Sequence, residues 1–154
     1  MTHQVDVQIA CDEDDLPGSA ELRTWACAAV ADLREDAELT IRIVGETEIE
    51  RLNNDYRNKL GATNVLSFPF DAPAGVDLPL LGDIVICAPI VRREANEQSK
   101  SLTSHWAHMV VHGALHLLGF DHEQAREARK MEAMETRILA DLGFDNPYES
   151  RGIS

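Results

Sequence analysis

Cysteine is scarce in this sequence. Cys11, Cys27 and Cys87 stand far apart, odd in number and with no C-x-x-C pair. That usage suits reduced thiols in a cytosol, packed as small apolar side chains, and no neighbouring feature would activate a thiolate nucleophile. Long apolar runs are missing too: none approaches the roughly 20 residues that span a bilayer. The opening "MTHQVDVQIACDEDD" lacks the basic and apolar regions of a secretory signal. A cytoplasmic protein with no membrane partner is therefore expected. Aromatic residues are few, with two Trp, two Tyr and four Phe, so Phe68 and Phe70 read as core as readily as stacking platforms. Positive charge is also short: 14 Lys and Arg against 27 Asp and Glu leave a net −13, which disfavours a polyanionic partner. Charge acts locally, however, over a Debye length of about 8 Å. The acids gather in "CDEDD" and in the last third, while Arg57, Lys59, Arg92, Arg93 and Lys100 hold the middle. A basic cleft on an acidic body stays compatible with this pattern.

What is present is regular alternation and helical periodicity. A chain of 154 residues fits one domain, 1–154, burying about two-thirds of its unfolded surface. "QVDVQIA" (4–10) and "ELTIRIVG" (38–45) alternate as strands, and "TNVLSFPF" (63–70) and "LLGDIVICA" (80–88) add two more. Ser19 is positioned to cap a helix over 20–34, with Leu22, Trp25, Ala29 and Leu33 inward. Further helices are expected over 46–57, 89–100, 103–118 and 123–142, the glutamates of the last forming a solvated face. The predicted fold is α+β: a single domain, a four-stranded mixed sheet covered by about five helices, with a metal site on a helix–turn.

That site is predicted in "HMVVHGALHLLGFDHE" (108–123). His112 and His116, four apart on a helix, share a face at about 6 Å, close enough for two imidazoles to reach one tetrahedral metal. Gly119 follows where a helix can end in a left-handed turn, and the returning chain would bring His122 to the same point. Three nitrogen ligands leave a fourth position open, as catalytic sites do. Zinc suits imidazole, one ion per chain, with nickel or copper able to take the same nitrogens. His108 is expected as a wall or supporting hydrogen-bond partner, His105 at the surface, and Asp121 either as a histidine's acceptor or as a turn residue. The spacing also fits metzincin proteases, but those need Glu directly after the first histidine. Gly113 stands there, so peptide hydrolysis lacks its base.

A second constellation lies in "LNNDYRNKLGATNVLSFPF". Arg57 and Lys59 sit where a helix gives way to a loop. Arg57 reads either as a fork for phosphate oxygens or as a helix C-terminal cation.

Taken together, "YRNKLGATNVLSFPF", "LGDIVIC" and "HMVVHGALHLLGFDH" resemble the YbeY family of bacterial endoribonucleases over roughly residues 40–145. The resemblance implies metal ligands at His112, His116 and His122 and a functional arginine at Arg57; Lys59, in the same loop, is expected from its charge as a further substrate contact. It implies a zinc-dependent, single-strand-specific endoribonuclease of the cytoplasm. Such an enzyme would act on ribosomal RNA at the small-subunit 3′ end and in ribosome quality control, with small-subunit proteins as further partners. The pattern departs at Leu60 and Ala62, where the family commonly has an acidic residue and a proline. Two other functions fit the residues: a non-catalytic ribosome-assembly factor with a structural metal, and a metal hydrolase of a non-RNA substrate.

Overall fold

Alternating apolar residues in "THQVDVQIA" and "DAELTIRIV" build two parallel strands, β1 (Thr2–Ala10) and β2 (Asp36–Val44), paired from Thr2 opposite Asp36 to Ala10 opposite Val44. The computed structural model describes residues 2–57, 61–71, 73–76, 78–120 and 124–148, with the backbone but not the side chain of Arg57. β4 (Leu80–Cys87) lies parallel to β2, and β3 (Val65–Pro69) lies antiparallel to β4. The sheet is therefore mixed, in the order β1-β2-β4-β3. Among the described residues five helices complete the fold: α1 (Ser19–Val30), α2 (Glu46–Arg57), α3 (Ala88–Glu97), α4 (Leu102–Leu117) and α5 (Ala125–Asp141). The α+β expectation of a single domain with a four-stranded mixed sheet and about five helices is met among the described residues.

Pleating divides the core in two. Ile41, Ile43, Ile84 and Ile86 face α1 and α4, in a cluster that takes in Trp25, Trp106 and Leu139. Val85 and Cys87, one residue out of phase, face away with Leu66, Ile49 of α2 and Ile90 of α3. Phe68 packs against this second cluster and meets the exposed Tyr56 edge-on at 5.5 Å, whereas Phe70 is exposed. Helix α4 is apolar on most sides and accordingly buried. It contacts α1, α3, α5, β3 and β4, so whatever it carries is fixed by the whole domain.

Two local expectations are corrected. Ser19 is the first residue of α1 and not its cap. Gly18 takes that place, and its N–H donates to the Glu21 carboxylate at 3.2 Å, so a side chain one turn in satisfies the helix end. Leu33 falls beyond the helix, which stops at Val30, and is 41% exposed.

The seat of α4 on the sheet depends on a missing side chain. A Cβ at Gly113 would lie 2.6 Å from Cγ2 of Ile84, so only glycine lets the helix come this close. Ser67 of β3 donates its hydroxyl to the Gly113 carbonyl at 3.0 Å, tying the edge strand to the same point. Gly113→Ala should therefore destabilise the protein by about 1–2 kcal/mol: overpacking costs about 1–3 kcal/mol and better helix propensity returns at most about 1 kcal/mol. Urea unfolding measures this directly, and an unchanged or raised midpoint would refute the close approach.

Candidate metal centre

Four histidines climb one face of α4. Neighbouring ring centroids from His105 to His116 are 6.2, 6.1 and 4.6 Å apart, each pair edge to face. The helix is capped by Ser101, whose hydroxyl accepts from the Ser104 N–H at 3.0 Å. It ends as the glycine predicts. Gly119 has φ 101°, its N–H reaches the His116 carbonyl at 3.0 Å, and the Phe120 N–H reaches that of Leu115 at 3.1 Å, which closes the last turn.

The residue that organises the ladder comes from α5. Glu135, fully buried at 0% exposure, puts one carboxylate oxygen, Oε2, 2.9 Å from both Nε2 of His108 and Nδ1 of His112. Its other oxygen accepts the Tyr148 hydroxyl at 2.6 Å. Burial alone would push this carboxyl up. The hydrogen bonds from His108 and His112, with the electrostatic attraction of their N–H groups, outweigh it and hold the group at about 2. An ionised carboxylate only accepts, so the ring nitrogens facing it carry hydrogen. For His112 that leaves Nε2 as the basic nitrogen, and it lies 3.1 Å from Nε2 of His116.

Two nitrogens held at about 2.0–2.1 Å from one tetrahedral ion stand roughly 3.3 Å apart. The His112–His116 pair has close to that spacing, and a carboxylate behind one ligand is the support that metal-binding histidines ordinarily have. A second grouping, His108, His112 and Glu135, has ligand atoms within 4.8 Å of one another and could also hold an ion. The two share His112 through opposite nitrogens, so one ion uses one set or the other.

Among the residues singled out from sequence, His112 and His116 are brought together. His122, Asp121 and Lys59 lie outside the described residues, as does the Arg57 side chain, while the Arg57 backbone closes α2. His108 is bonded to Glu135 and lines a cavity of about 240 Å³ with Lys100, Ser104 and Asn146. His105 is not at the surface: it is 3% exposed, and its Nε2 meets Glu94 at 2.8 Å. Glu94 also accepts from Asn64 at 3.2 Å, joining the approach to β3 to α3 and α4. Glu135 departs from the solvated face expected for the α5 glutamates, because at turn spacing from Met131 and Ile138 it shares their buried stripe. That charge on an apolar stripe was its one visible signal. Tyr148, past the last helix, had none. Arg92 pairs with Glu13 and Asp15 and Arg93 with Glu46, so these cations are matched by acids and build no basic cleft. Cys87 is buried and its thiol pushed up to about 11, chiefly by desolvation, in keeping with an inert packing role.

Residues 6–143 match the family model described as Endoribonuclease YbeY. The solution structure of TM1509 from Thermotoga maritima superposes with a TM-score of 0.59 at 23% identity, covering 95% of this chain and 99% of that one. At that identity the likeness speaks for the fold.

Two outcomes follow from the hydrogen bonds. Glu135→Gln keeps the volume but loses the charge and exchanges one acceptor oxygen for an amide donor, so binding of added zinc should weaken about tenfold in a chelator competition, and an unchanged affinity would remove Glu135 from the centre. Burial lowers the pKa of His105 despite the opposing Glu94 bond, so the folded state favours its neutral ring. Its contribution is present above the ordinary value of about 6.5 and is lost as pH falls toward the lowered folded value. His105→Gln should therefore lose less stability than wild type between about pH 7.5 and about pH 5.5, as read by urea midpoints; equal slopes would contradict this.

Proposed function

This chain belongs to the YbeY endoribonuclease family, and on that footing we propose a zinc-dependent, single-strand-specific endoribonuclease acting in ribosomal RNA maturation, at the small-subunit 3′ end, and in ribosome quality control. What supports the metal is the His112–His116 pair, Nε2 to Nε2 at 3.1 Å, with the far side of His112 fixed by Glu135. His112, His116 and His122 are the proposed ligands. This set is preferred to His108, His112 and Glu135 because those three satisfy one another at hydrogen-bond distance, and Glu135 is further engaged by Tyr148. Zinc, when bound, acidifies a water molecule and polarises a phosphoryl oxygen.

The chain's own residues divide the remaining tasks. Glu135 holds the hydrogen on Nδ1 of His112 and so keeps Nε2 basic. Arg57 offers a planar fork to two oxygens of the scissile phosphate and meets the charge that develops there. Lys59 adds a second cation to the strand's backbone contacts. Gly113 supplies no carboxylate beside His112, and any side chain there would strike Ile84, which turns the site from peptide hydrolysis toward a phosphodiester. With few aromatics and an acidic body, recognition rests on backbone and shape, and small-subunit proteins supply the rest of the specificity. The setting is the cytoplasm, and no described helix is long and apolar enough to cross a membrane.

Wild type should cut a labelled single-stranded ribosomal RNA fragment, and an identically purified His116→Ala should not. Arg57→Ala should keep its zinc and lose about 100-fold in kcat. A normal kcat with full zinc would sink the phosphate clamp. RNA that is bound and never cut by wild type would favour the assembly-factor function. A 2′,3′-cyclic phosphate on the product would identify the RNA 2′-hydroxyl as the attacking group.

A further inference from the structure

We propose that Tyr148 is a positioning residue of the metal centre: from the segment after α5 it fastens the carboxylate that aims His112. The proposal rests on the metal-binding role given above to the α4 histidines. Tyr148 is 46% exposed, yet its hydroxyl points inward. It donates to Oε1 of Glu135 at 2.6 Å, and its oxygen stands 3.2 Å from Nε2 of His108. Its ring meets that of His108 edge to face at 5.4 Å. A tyrosine placed only for surface polarity would turn its hydroxyl to water, where hydrogen bonding costs no ordering.

The two oxygens of Glu135 are used unequally. Both histidines are served by Oε2. On Oε1, Tyr148 supplies the hydrogen bond found among the described residues. A carboxylate turns easily about its last bond. Held on one oxygen alone, it could swing out of line with Nδ1 of His112, and the direction of Nε2 would loosen with it. Desolvation and the Glu135 bond both push the Tyr148 phenol up, so it remains a donor at neutral pH.

The segment that carries Tyr148 is itself tied down. Gly143, at φ 93°, reverses the chain after α5, and the Phe144 N–H returns to the Leu139 carbonyl at 2.8 Å. The Tyr148 N–H donates to Oδ1 of Asn146 at 2.8 Å, and Lys100 donates to the Pro147 carbonyl at 2.9 Å. The phenol is thus presented from a fixed backbone.

Zinc affinity of the full chain, by competition with a chromophoric chelator, tests this in a double-mutant cycle of Tyr148→Phe and Glu135→Gln. Tyr148→Phe should weaken zinc binding about tenfold, leave the far-ultraviolet circular dichroism spectrum of the metal-free protein unchanged, and add nothing in the Glu135→Gln background. An affinity equal to wild type overturns the proposal, as does a full additional loss in that background, since Tyr148 would then act independently of Glu135. An altered metal-free spectrum would reassign it to a structural role. If wild type itself binds no zinc, the metal reading falls along with this one. Wild-type binding with an indifferent Tyr148→Phe overturns this inference alone.

Discussion

The seating of α4 on the sheet at Gly113 is the constraint on which the candidate site depends. Helix and strand meet there with no side chain between them, and Ile84 fills the space a Cβ would need. The Ser67 hydroxyl holds the same carbonyl from the edge strand. Because this contact sits between His112 and His116 in sequence, it sets how far both rings stand from the sheet. Interiors packed this closely do not yield by small amounts, so the rings inherit the precision of the core. The same glycine also accounts for what the site lacks. A carboxylate-bearing residue at position 113 is incompatible with the packing that positions His112.

Glu135 illustrates how a buried charge can be held without being a liability. Burying an isolated carboxylate is costly, and such a group would ordinarily take up a proton. Here α5 brings one acid to a helix that presents two bases, and a phenol closes the remaining oxygen. Each partner meets a need of the others: the carboxylate gains donors, and the rings gain fixed hydrogens. The burial that makes removal of any one expensive also gives the group its directional control over His112.

The elements were legible because their periodicity is strong and the turn signals between them are clear; Gly119 closes α4 where the spacing put it. What escaped is long-range pairing. Glu135 lies 23 residues from His112, and only the rotation of α5 about its axis decides which of its glutamates faces inward. Glu127, Glu132 and Glu135 are alike in composition, while Met131 and Ile138 mark the buried stripe. His105 looked like a surface residue because its acceptor, Glu94, belongs to another helix. Arg92 and Arg93 looked available for a polyanion until the fold brought Glu13 and Glu46 to them, 79 and 47 residues away in sequence. The cap of α1 falls one residue earlier than expected, at Gly18, whose N–H is satisfied by Glu21 from within the helix.

The burial of α4 bears on the order of events in the protein's life. Small zinc domains stay unfolded until an ion gathers their ligands. Here apolar neighbours on most sides hold the ligand-bearing helix, so His112 and His116 owe their alignment to the core and not to an ion. Folding and metal loading thereby become separate steps. An ion that bound here would meet rings already in line, so its loss would leave the scaffold standing.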